Sequence, residues 1–408
     1  MLSLLAFLII LSTALVVWLI SICNAHSVGA IGRRIRRVEP SSVNAPVETP
    51  PLTVIIAAHN QAPALRRHLP EILAQEYDRF EVIVVDMRST DETKDILERL
   101  ELQHAHLRHT FVPASARDIS VERLALTLGF RAAAHEWVVI THPDCQPASP
   151  LWLQRIGETI AQPKRGLQSP RLTTPDIILG YARYDESRET WLDTKIGFYR
   201  LWATIANIQH VLGGHAAVRA DACNIAYRKS LFFEHGGFAA DQDLQAGAEE
   251  LLVNHNATVS NTALLLSPAA MVIQDRIHDE YTWKQTRLFY AETRFHQHHT
   301  ALYRLRQFLR IVTPWLMLMI FAGSLACLVM AMAMPQTLTI LLFVVLFILY
   351  VSYVFMHLTA VHTTATALSI RNNLWAQLYL ELCVLPWYIN DRITRRFASR
   401  NDFRKKFV

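Results

Sequence analysis

The sequence predicts an α/β domain, built on a mostly parallel sheet with helices on both faces, that an amino-terminal anchor and a carboxyl-terminal hairpin attach to a membrane. The first observation behind this prediction is a composition that is 51% hydrophobic over 408 residues. The second is a pair of uncharged regions near the two ends, and the third is an alternation of strand and helix patterns between them. A chain this apolar is untypical of a soluble protein, so part of it is expected to lie in lipid.

The first apolar segment, Leu2–Cys23, carries no charge and exceeds the ~20 residues that a spanning helix needs. The basic run Arg33–Arg37 follows it, and this asymmetry places the basic end in the cytoplasm. A cleaved signal peptide is the alternative, but no basic region precedes the apolar segment. We expect an uncleaved anchor over residues 1–24 and a basic, Pro-rich linker over residues 25–50.

Two further apolar segments, Ile311–Met332 and Thr337–Met356, are joined by a short connection, so they predict a membrane hairpin over residues 311–358. Neither segment contains a charged residue, which argues against a transporter with a conduction path. Basic residues flank the hairpin on both sides, so both ends are expected in the cytoplasm. They are Arg304, Arg306 and Arg310 before it, and Arg395, Arg396, Arg400, Arg404, Lys405 and Lys406 after it.

Segments outside the spans are predicted to lie at the membrane surface. One helix is predicted over Tyr281–Arg310, of which residues 291–310 are assigned to the interface. Residues 359–408 are expected to form a second interfacial helix and a basic cytoplasmic tail. Within them Leu374–Ile389 is apolar but contains Glu381, which favours the interface, although a fourth span stays open.

The cysteines and the charge indicate the cellular compartment. The five cysteines show no CxxC spacing, which is typical of a reducing cytoplasm and predicts no structural zinc site. The net charge of +5 is concentrated beside the spans, so lipid headgroups are a better partner for it than nucleic acid. These features predict a multi-pass protein of the bacterial inner membrane whose soluble domain lies in the cytoplasm.

The soluble domain is predicted over residues 51–290, as repeated strand and helix units. Its strands are apolar throughout, which indicates a parallel sheet that helices cover on both faces. The predicted strands are Leu52–Ala58, Phe80–Val85 and Trp137–Thr141, and the predicted helices cover 64–73, 91–100 and 121–134.

Polar side chains follow three of these strands, at Asn60, Asp86 and Asp144. Ligands of parallel sheets bind beyond the carboxyl ends of the strands, so a shared site is expected there. A glycine-rich phosphate loop is missing from the sequence, so a diphosphate ligand would need a divalent cation. Asp144 offers an oxygen ligand for Mg²⁺ or Mn²⁺. The alternative is that Asp144 caps the helix expected near Ser149.

Several motifs then occur in a characteristic order. They are VIIAAHN at 54–60, ILAQEYDRFEVIVVD at 72–86, SVERLALTLG at 120–129, THPDC at 141–145 and AYRKSLFFEHGGF at 226–238. This set resembles a family 2 glycosyltransferase of GT-A fold, in particular the membrane-bound members of the type common in Bacteroidetes. The resemblance covers residues 52–290 and implies a metal-dependent, inverting transferase of the hexosyltransferase type that acts in cell-envelope glycan synthesis.

The resemblance also implies partners and site residues. The donor is expected to be a nucleotide sugar, with a UDP-sugar favoured, and the acceptor a glycan or lipid-linked molecule beside membrane lipids. Asn60 and Asp86 are expected in the nucleotide pocket, Arg123 near the diphosphate, and Asp144 on the Mn²⁺ or Mg²⁺ ion. His142 replaces the first Asp of the metal motif and is expected to contact the ion or a ribose hydroxyl. A strand-end cap is the alternative for Asp86, and a solvated helix face the alternative for Arg123.

Two glutamates, Glu249 and Glu250, stand where the family has an acidic cluster. In an inverting transfer a carboxylate within ~3 Å of the acceptor hydroxyl is the natural base. Glu250 matches this position best and Glu249 is second; the alternative is a pair of solvated glutamates on a helix. Met87 and His142 depart from the family pattern. A catalytically impaired homologue, acting as a partner or scaffold, is therefore the alternative function.

Overall fold

The computed structural model describes residues 4–38, 48–113, 115, 120–161, 175–239, 244, 247–333 and 336–398. It divides into two compact units, one containing residues 1–36 and 299–390 and the other residues 37–298 and 391–408. The linker predicted over residues 25–50 is wrong in its first part, because the amino-terminal helix continues to Val38. The prolines that cannot continue a helix begin only at Pro40. Linker residues 39–47, the middle of the hairpin connection and the basic residues beyond 398 lie outside the described residues.

The elements are numbered in chain order. The described helices are α1 (Leu4–Val38), α2 (Ala62–Leu73), α3 (Thr93–Gln103), α4 (Val121–Ala132), α5 (Trp152–Ala161), α6 (Trp191–Leu212), α7 (Lys229–Glu234), α8 (Ala248–Asn256), α9 (Glu280–His296), α10 (Ala301–Ala333), α11 (Thr337–Ala367) and α12 (Leu374–Phe397). The described strands are β1 (Leu52–Ala58), β2 (Phe80–Asp86), β3 (Leu107–Phe111), β4 (Trp137–Thr141), β5 (Cys145–Pro147), β6 (Ile177–Leu179), β7 (Ala182–Tyr184), β8 (Ile225–Arg228), β9 (Thr262–Leu264) and β10 (Val272–Gln274).

The main sheet of the soluble unit confirms the predicted α/β architecture. Its described strands have the order β3-β2-β1-β4-β8-β6-β9, and β1 runs parallel to both β2 and β4. β8 runs antiparallel to β4 and β6, so the sheet is mostly rather than wholly parallel. The register pairs Ala58 with Asp86 and Ile56 with Thr141. The ends of β1, β2 and β4 therefore meet at one edge, where ligands of parallel sheets bind.

Helices cover both faces of this sheet, as the apolar strands predicted. Side chains alternate between the faces of a strand, so neighbours on β1 enter different layers. Val54 and Ile56 pack in a core with Leu65 of α2, whereas Ile55 lies against Gly129 of α4. All three β1 side chains are 0% exposed. The continuous apolar sequence of β1 thus reflects a helical layer on each side.

The motif at 226–238 is a packing unit in the structure. It forms β8 and α7, and its Phe232 ring stacks on Phe130 of α4 with the centroids 4.0 Å apart. Just before the motif, Asn224 is 1% exposed. Its amide oxygen accepts a hydrogen bond from the indole N–H of Trp152 at 3.1 Å, and its amide nitrogen donates to the carbonyl of Tyr181 at 2.9 Å. These contacts give this most distinctive part of the sequence a structural role.

Among the described residues, three helices are long and apolar enough to cross a membrane, namely residues Leu4–Arg37 of α1 and the whole of α10 and α11. This confirms the predicted anchor and hairpin. Thr364 of α11 donates a hydrogen bond to the carbonyl of Val28 of α1 at 2.7 Å. A Cβ atom on Gly32 of α1 would lie 2.7 Å from the carbonyl oxygen of Thr363, so only glycine allows this approach.

The helix α12 meets α11 through a buried polar cluster. Glu381 of α12 is 5% exposed, accepts a hydrogen bond from Gln377 at 2.7 Å, and lies 2.6 Å from the imidazole Nε2 of His357. Among the described residues, the helices that could span a membrane do not include α12. The second predicted span ended at Met356, whereas α11 continues past His357, so the whole helix is not free of ionisable groups.

The single helix predicted over Tyr281–Arg310 is wrong, because the structure has two helices there. α9 ends at His296 and α10 begins at Ala301. Between them, the backbone N–H of His298 donates to the side-chain oxygen of Asn254 at 2.6 Å, and the Asn254 amide donates to the His298 carbonyl at 3.2 Å. Side-chain bonds of this kind take the place of the helical backbone bonds, so the helix ends.

Candidate active site

Two glutamates lie in the first turn of α8, and Gly247 positions them. Gly247 precedes the helix with a φ of +68°, a left-handed conformation that glycine adopts without strain. A Cβ atom there would lie 2.4 Å from Thr293 of α9, so α8 begins close against α9. Glu249 and Glu250 are 3% and 5% exposed. They are therefore not the solvated pair that the sequence left open.

Glu249 forms a cluster with side chains from two other elements. Its Oε1 atom lies 3.4 Å from Nε2 of His142, which follows β4. Glu122, in the first turn of α4, completes the cluster, and one ligand atom from each of the three lies within 4.8 Å of the others. We call Glu122, His142 and Glu249 the carboxylate–imidazole cluster. Residues that are distant in the sequence thus converge at the carboxyl end of β4.

The cluster alters the protonation of its members. Burial lowers the pKa of His142, but the hydrogen bond and the charge of Glu249 outweigh burial and raise this pKa to about 10. Burial and the charge of Glu249 raise the pKa of Glu122 to about 7. At neutral pH and without a metal ion, His142 is therefore a cation between two carboxyl groups, of which Glu122 is partly protonated. A metal ion that coordinated these side chains would displace their protons.

Glu250 is held by a different set of residues. Its Oε1 atom accepts a hydrogen bond from Nη2 of Arg219 at 3.1 Å, and its Oε2 atom accepts one from Nε2 of Gln297 at 3.4 Å. The guanidinium of Arg219 lies 5.3 Å from the centre of the Tyr290 ring. Charge-assisted hydrogen bonds are stronger than neutral ones, so Glu250 presents an oriented carboxylate.

Asp144 lies at the end of a chain of hydrogen bonds. Its Oδ2 atom accepts from Nε2 of Gln274 at 2.9 Å, and the Oε1 atom of Gln274 accepts from Nη1 of Arg200 at 2.8 Å. Arg200 also donates to both carboxylate oxygens of Asp221. Burial would raise the pKa of Asp221, but the charge and hydrogen bonds of Arg200 lower it below its ordinary value. The other partner of Asp144 is the thiol of Cys145, so Asp144 does not cap α5.

The carboxylate–imidazole cluster and Glu250 line one cavity of about 310 Å³. This volume lies at the lower end of the range for small-molecule sites. Part of the remaining lining is aromatic. These side chains are Tyr181, Tyr184, Tyr199, Trp283, Phe289 and Tyr290. An aromatic wall with a few convergent polar groups is the usual composition of a site for a small organic ligand.

Asn60 and Asp86 lie together at neighbouring strand ends. The backbone N–H of Asn60 donates to Oγ of Ser89 at 2.9 Å, and the backbone N–H of Ser89 donates to Oδ1 of Asp86 at 3.0 Å. The side-chain oxygen of Asn60 accepts from the N–H of Thr90 at 2.7 Å. The structure thus brings the two predicted nucleotide residues together, but they are not among the described residues that line the cavity.

Arg123 occupies a buried position on α4. Its side chain is 1% exposed, and its Nε atom donates to the carbonyl of Leu244 at 2.9 Å. The guanidinium lies 5.6 Å from the centre of the Phe238 ring. Arg123 therefore does not lie on a solvated face of the helix. Its contacts favour a structural role close to the segment before α8. Its predicted contact with a diphosphate stays a prediction.

The donors in the cavity fit the divalent cation that the sequence resemblance implies. Glu122 and Glu249 offer carboxylate oxygens, and His142 offers an imidazole nitrogen. Mn²⁺ accepts this combination, whereas Mg²⁺ strongly prefers oxygen. Asp144, the predicted ligand, already uses one carboxylate oxygen for Gln274.

Glu122, Arg219 and Arg200 were not predicted. A helix turns by about 100° per residue, so the sequence alone did not show that Glu122 faces the site while its neighbour Arg123 lies elsewhere. Arg219 and Asp221 offered a clearer signal, because they are charged residues in the otherwise apolar stretch at 216–223. Such residues are often buried with a partner of opposite charge.

The fold and the site define an α/β domain with a polar cavity at the strand ends, in a chain that also carries candidate membrane helices. Residues 53–231 match the model for glycosyl transferase family 2, so this part of the chain is a glycosyltransferase domain of that family. No curated protein matched the chain.

Solved structures show a more distant likeness. The mannosyltransferase PcManGT from Pyrobaculum calidifontis, in complex with GDP-Man and Mn²⁺, is 18% identical with a TM-score of 0.46, over 86% of this chain and 98% of that chain. S. aureus TarS 1-349 in complex with UDP-GlcNAc is 13% identical with a TM-score of 0.39, over 82% of this chain and 92% of that chain. The same protein in complex with UDP is 14% identical with a TM-score of 0.40, over 78% and 90%.

Proposed function

We propose that this glycosyltransferase moves one sugar from a nucleotide-sugar donor, a UDP-sugar in the first instance, to a lipid-linked acceptor, with inversion at the anomeric carbon. The observation that carries the proposal is the shared cavity in which the carboxylate–imidazole cluster lies beside the buried carboxylate of Glu250. The cluster can hold the nucleotide-sugar donor, and Glu250 can accept a proton from the acceptor.

Glu250 is the proposed general base. The acceptor hydroxyl attacks the anomeric carbon from the face opposite the leaving diphosphate, and its proton passes to a carboxylate oxygen of Glu250. Arg219 and Gln297 each bind one oxygen of this carboxylate and so orient it. Their contacts keep Glu250 in place before an acceptor arrives, which reduces the entropic cost of reaching the reactive geometry.

The donor is proposed to bind across the ends of β1, β2 and β4. Asn60 and Asp86 would contact the nucleoside, because they lie together at the first two of these strand ends. His142 and Asp144 would lie near the diphosphate at the third. A bound Mn²⁺ or Mg²⁺ ion would neutralise the charge that develops on the leaving diphosphate.

The acceptor is proposed to be lipid-linked because the domain is covalently attached to helices that could cross a membrane. Such attachment confines the domain to the bilayer surface, which raises the local concentration of acceptors that are themselves in the bilayer. The arginines at 33–37 and at Arg395 and Arg396 suit the cytoplasmic side of a bacterial inner membrane. Cell-envelope glycan synthesis is the proposed setting.

The test is a pair of measurements on the full chain in detergent. Calorimetry with UDP, GDP and CMP, each with Mn²⁺ or Mg²⁺, is expected to show metal-dependent binding of one nucleotide. Incubation of the corresponding labelled nucleotide sugars with a bacterial lipid extract is then expected to move label into the organic phase. Glu250→Gln should lower this transfer by about 10²- to 10⁴-fold. Glu158→Gln should not lower it, because Glu158 pairs with Arg155 on α5.

Two results would contradict the proposal. Absence of nucleotide binding under every condition would favour the catalytically impaired homologue that acts as a partner or scaffold. Nucleotide binding with transfer only to a soluble glycan would retain the enzyme and exclude the lipid-linked acceptor.

A further inference from the structure

We infer that Glu122, His142 and Glu249 bind one divalent cation, Mn²⁺ in preference to Mg²⁺, and that this cluster rather than Asp144 provides the protein ligands of the metal site. The inference deepens the proposed function. Only the role of the ion at a donor diphosphate rests on that function. The binding itself is a property of these three side chains and needs no nucleotide.

The spacing of the cluster is close to that of a metal site. One donor atom from each residue lies within 4.8 Å of the other two. Two atoms bonded to one ion at about 2.2 Å are at most about 4.4 Å apart. Three donors around one ion lie about 3.1 to 3.8 Å apart at bond angles of about 90° to 120°, so side-chain movements of up to about 1 Å would bring all three into the coordination shell.

The charges of the cluster also favour a cation. Glu122 and Glu249 carry two negative charges when both are ionised, and His142 can supply at most one positive charge. Glu249 is 4% exposed as a side chain, and its contact with His142 is long, at 3.4 Å. Burying a carboxylate is unfavourable unless a charge or several hydrogen bonds compensate it. A divalent ion would compensate both carboxylates at once.

Three ordered elements position the donors. Glu122 lies in the first turn of α4, His142 directly follows β4, and Glu249 lies in the first turn of α8, which Gly247 fixes against α9. A site whose ligands come from helices and strand ends is better organised before binding than one built on a single loop. The cavity gives a ligand access to all three residues.

Asp144 is less suited to hold the ion. Its Oδ2 atom accepts the hydrogen bond from Gln274, and Gln274 accepts one in turn from the guanidinium of Arg200. Gln274 thus already uses one lone pair of Oδ2, and the cluster offers more donors to an ion than this one carboxylate does. The replacement of the first Asp of the metal motif by His142 is thus accompanied by two carboxylates that the motif does not contain.

The ion preference follows from the donor atoms. Imidazole nitrogen is a common ligand for transition metals, while Mg²⁺ demands oxygen ligands and retains much of its water. A set of two carboxylates and one imidazole therefore discriminates against Mg²⁺. An aspartate-only site would not discriminate in this way.

The experiment titrates Mn²⁺ alone into the purified full-length protein in detergent, with free Mn²⁺ followed by electron paramagnetic resonance. The expected result is one bound Mn²⁺ per chain. Glu122→Gln and Glu249→Gln should each weaken Mn²⁺ binding about tenfold or more. Even residues that only hydrogen-bond to a metal ligand change metal affinity by about 10- to 100-fold. Pulsed resonance should detect nitrogen coupling to the bound Mn²⁺, and His142→Gln should abolish that coupling.

Matched variants make the outcome decisive. Asp144→Asn and the surface variant Glu92→Gln, whose carboxylate pairs with Arg66, should both bind Mn²⁺ as the unmodified chain does. Loss of binding in Asp144→Asn together with normal binding in Glu122→Gln and Glu249→Gln would overturn the inference, as would wild-type protein that binds no Mn²⁺. Circular dichroism of each variant excludes unfolding, and the isosteric changes preserve side-chain volume.

Failure of this inference is separable from failure of the proposed function. A protein that binds a nucleotide and transfers sugar but shows no nitrogen-coupled Mn²⁺ retains the function and lacks this site. A protein that binds Mn²⁺ at the cluster but no nucleotide retains the site and lacks the function.

Discussion

Nη2 of Arg219 donates a hydrogen bond of 3.1 Å to Oε1 of Glu250, and the two side chains are only 15% and 6% exposed. Removing one partner of a buried ion pair is strongly unfavourable, because the remaining charge loses its compensation. The pair therefore fixes both the charge and the direction of the Glu250 carboxylate. A general base requires these two properties.

Replacing Glu250 by Gln retains the shape of the side chain and removes its basic oxygen. We expect sugar transfer to fall by about 10²- to 10⁴-fold, the usual contribution of a general base. Nucleotide affinity should be unchanged, because Glu250 is proposed to contact only the acceptor. Steady-state rates and calorimetric affinities measured on one preparation test this, and a Gln variant with the wild-type rate would remove Glu250 from the mechanism.

Arg219 is expected to act as a positioning residue. Arg219→Gln should lower kcat by up to about 10²-fold, the effect of a small misplacement of a reacting group, and leave KM for the donor unchanged. Arg219→Lys keeps the charge without the planar guanidinium, so an intermediate kcat is expected. A change in donor KM alone would instead place Arg219 in the donor site.

Gly247→Ala should destabilise the domain and reduce activity. The substitution strains a φ of +68° and brings a Cβ atom 2.4 Å from Thr293. We expect a loss of about 1–3 kcal/mol in the free energy of unfolding, as for other left-handed positions. Gly197→Ala is the control, because Gly197 lies in α6 with nothing within 4 Å of its Cβ position. Alanine at position 197 should stabilise the helix by up to about 1 kcal/mol. If Gly247→Ala and Gly197→Ala shifted the thermal unfolding temperature in the same direction, the proposed strain at Gly247 would be contradicted.

The ion pair of Arg200 and Asp221 predicts a dependence of stability on pH. The pKa of Asp221 is lower in the folded protein than its ordinary value, so the pair contributes stability above the unfolded-state value of about 3.9. This contribution is lost progressively as the pH falls through that value towards the folded-state pKa. Asp221→Asn should lower the unfolding temperature at pH 7. Because the stabilising contribution of Asp221 is lost progressively below about pH 5, the unfolding temperature of the variant should also fall less than that of the wild type between about pH 5 and 3. Parallel curves for the two proteins would show that other groups dominate.

The contact between α1 and α11 is testable with a pair of glycines. Gly32→Val should lower the thermal stability of the detergent-solubilised chain, because its Cβ atom would meet the backbone of Thr363 at 2.7 Å. Gly323→Val is the control, since the nearest atom, in Leu346, is 4.0 Å from the Cβ position. Small residues allow helices in a membrane to approach closely, so only the first variant should separate them. Equal destabilisation by both variants would point to a general effect of valine.

The structure confirms the features of this chain that follow from short stretches of sequence. Hydrophobic length alone identified the three membrane-spanning candidates, because the bilayer sets the number of apolar residues a helix needs. Uninterrupted apolar strands such as β1 predicted a sheet with helices on both faces. The ordered motifs gave the family, and the family match over residues 53–231 bears this out.

What only the tertiary structure decided is which side chains meet. His142 and Glu249 are 107 residues apart, and Arg219 and Glu250 are 31 apart, so neither pair belongs to one local motif. The break between α9 and α10, which the apolar and aromatic pattern did not reveal, depends on a hydrogen bond from Asn254 of α8. Local propensity and hydrophobic period specify an element and its buried face. The direction of a single polar side chain depends on packing between elements, and this decided that Glu122 faces the cavity while Arg123 is buried beside Leu244.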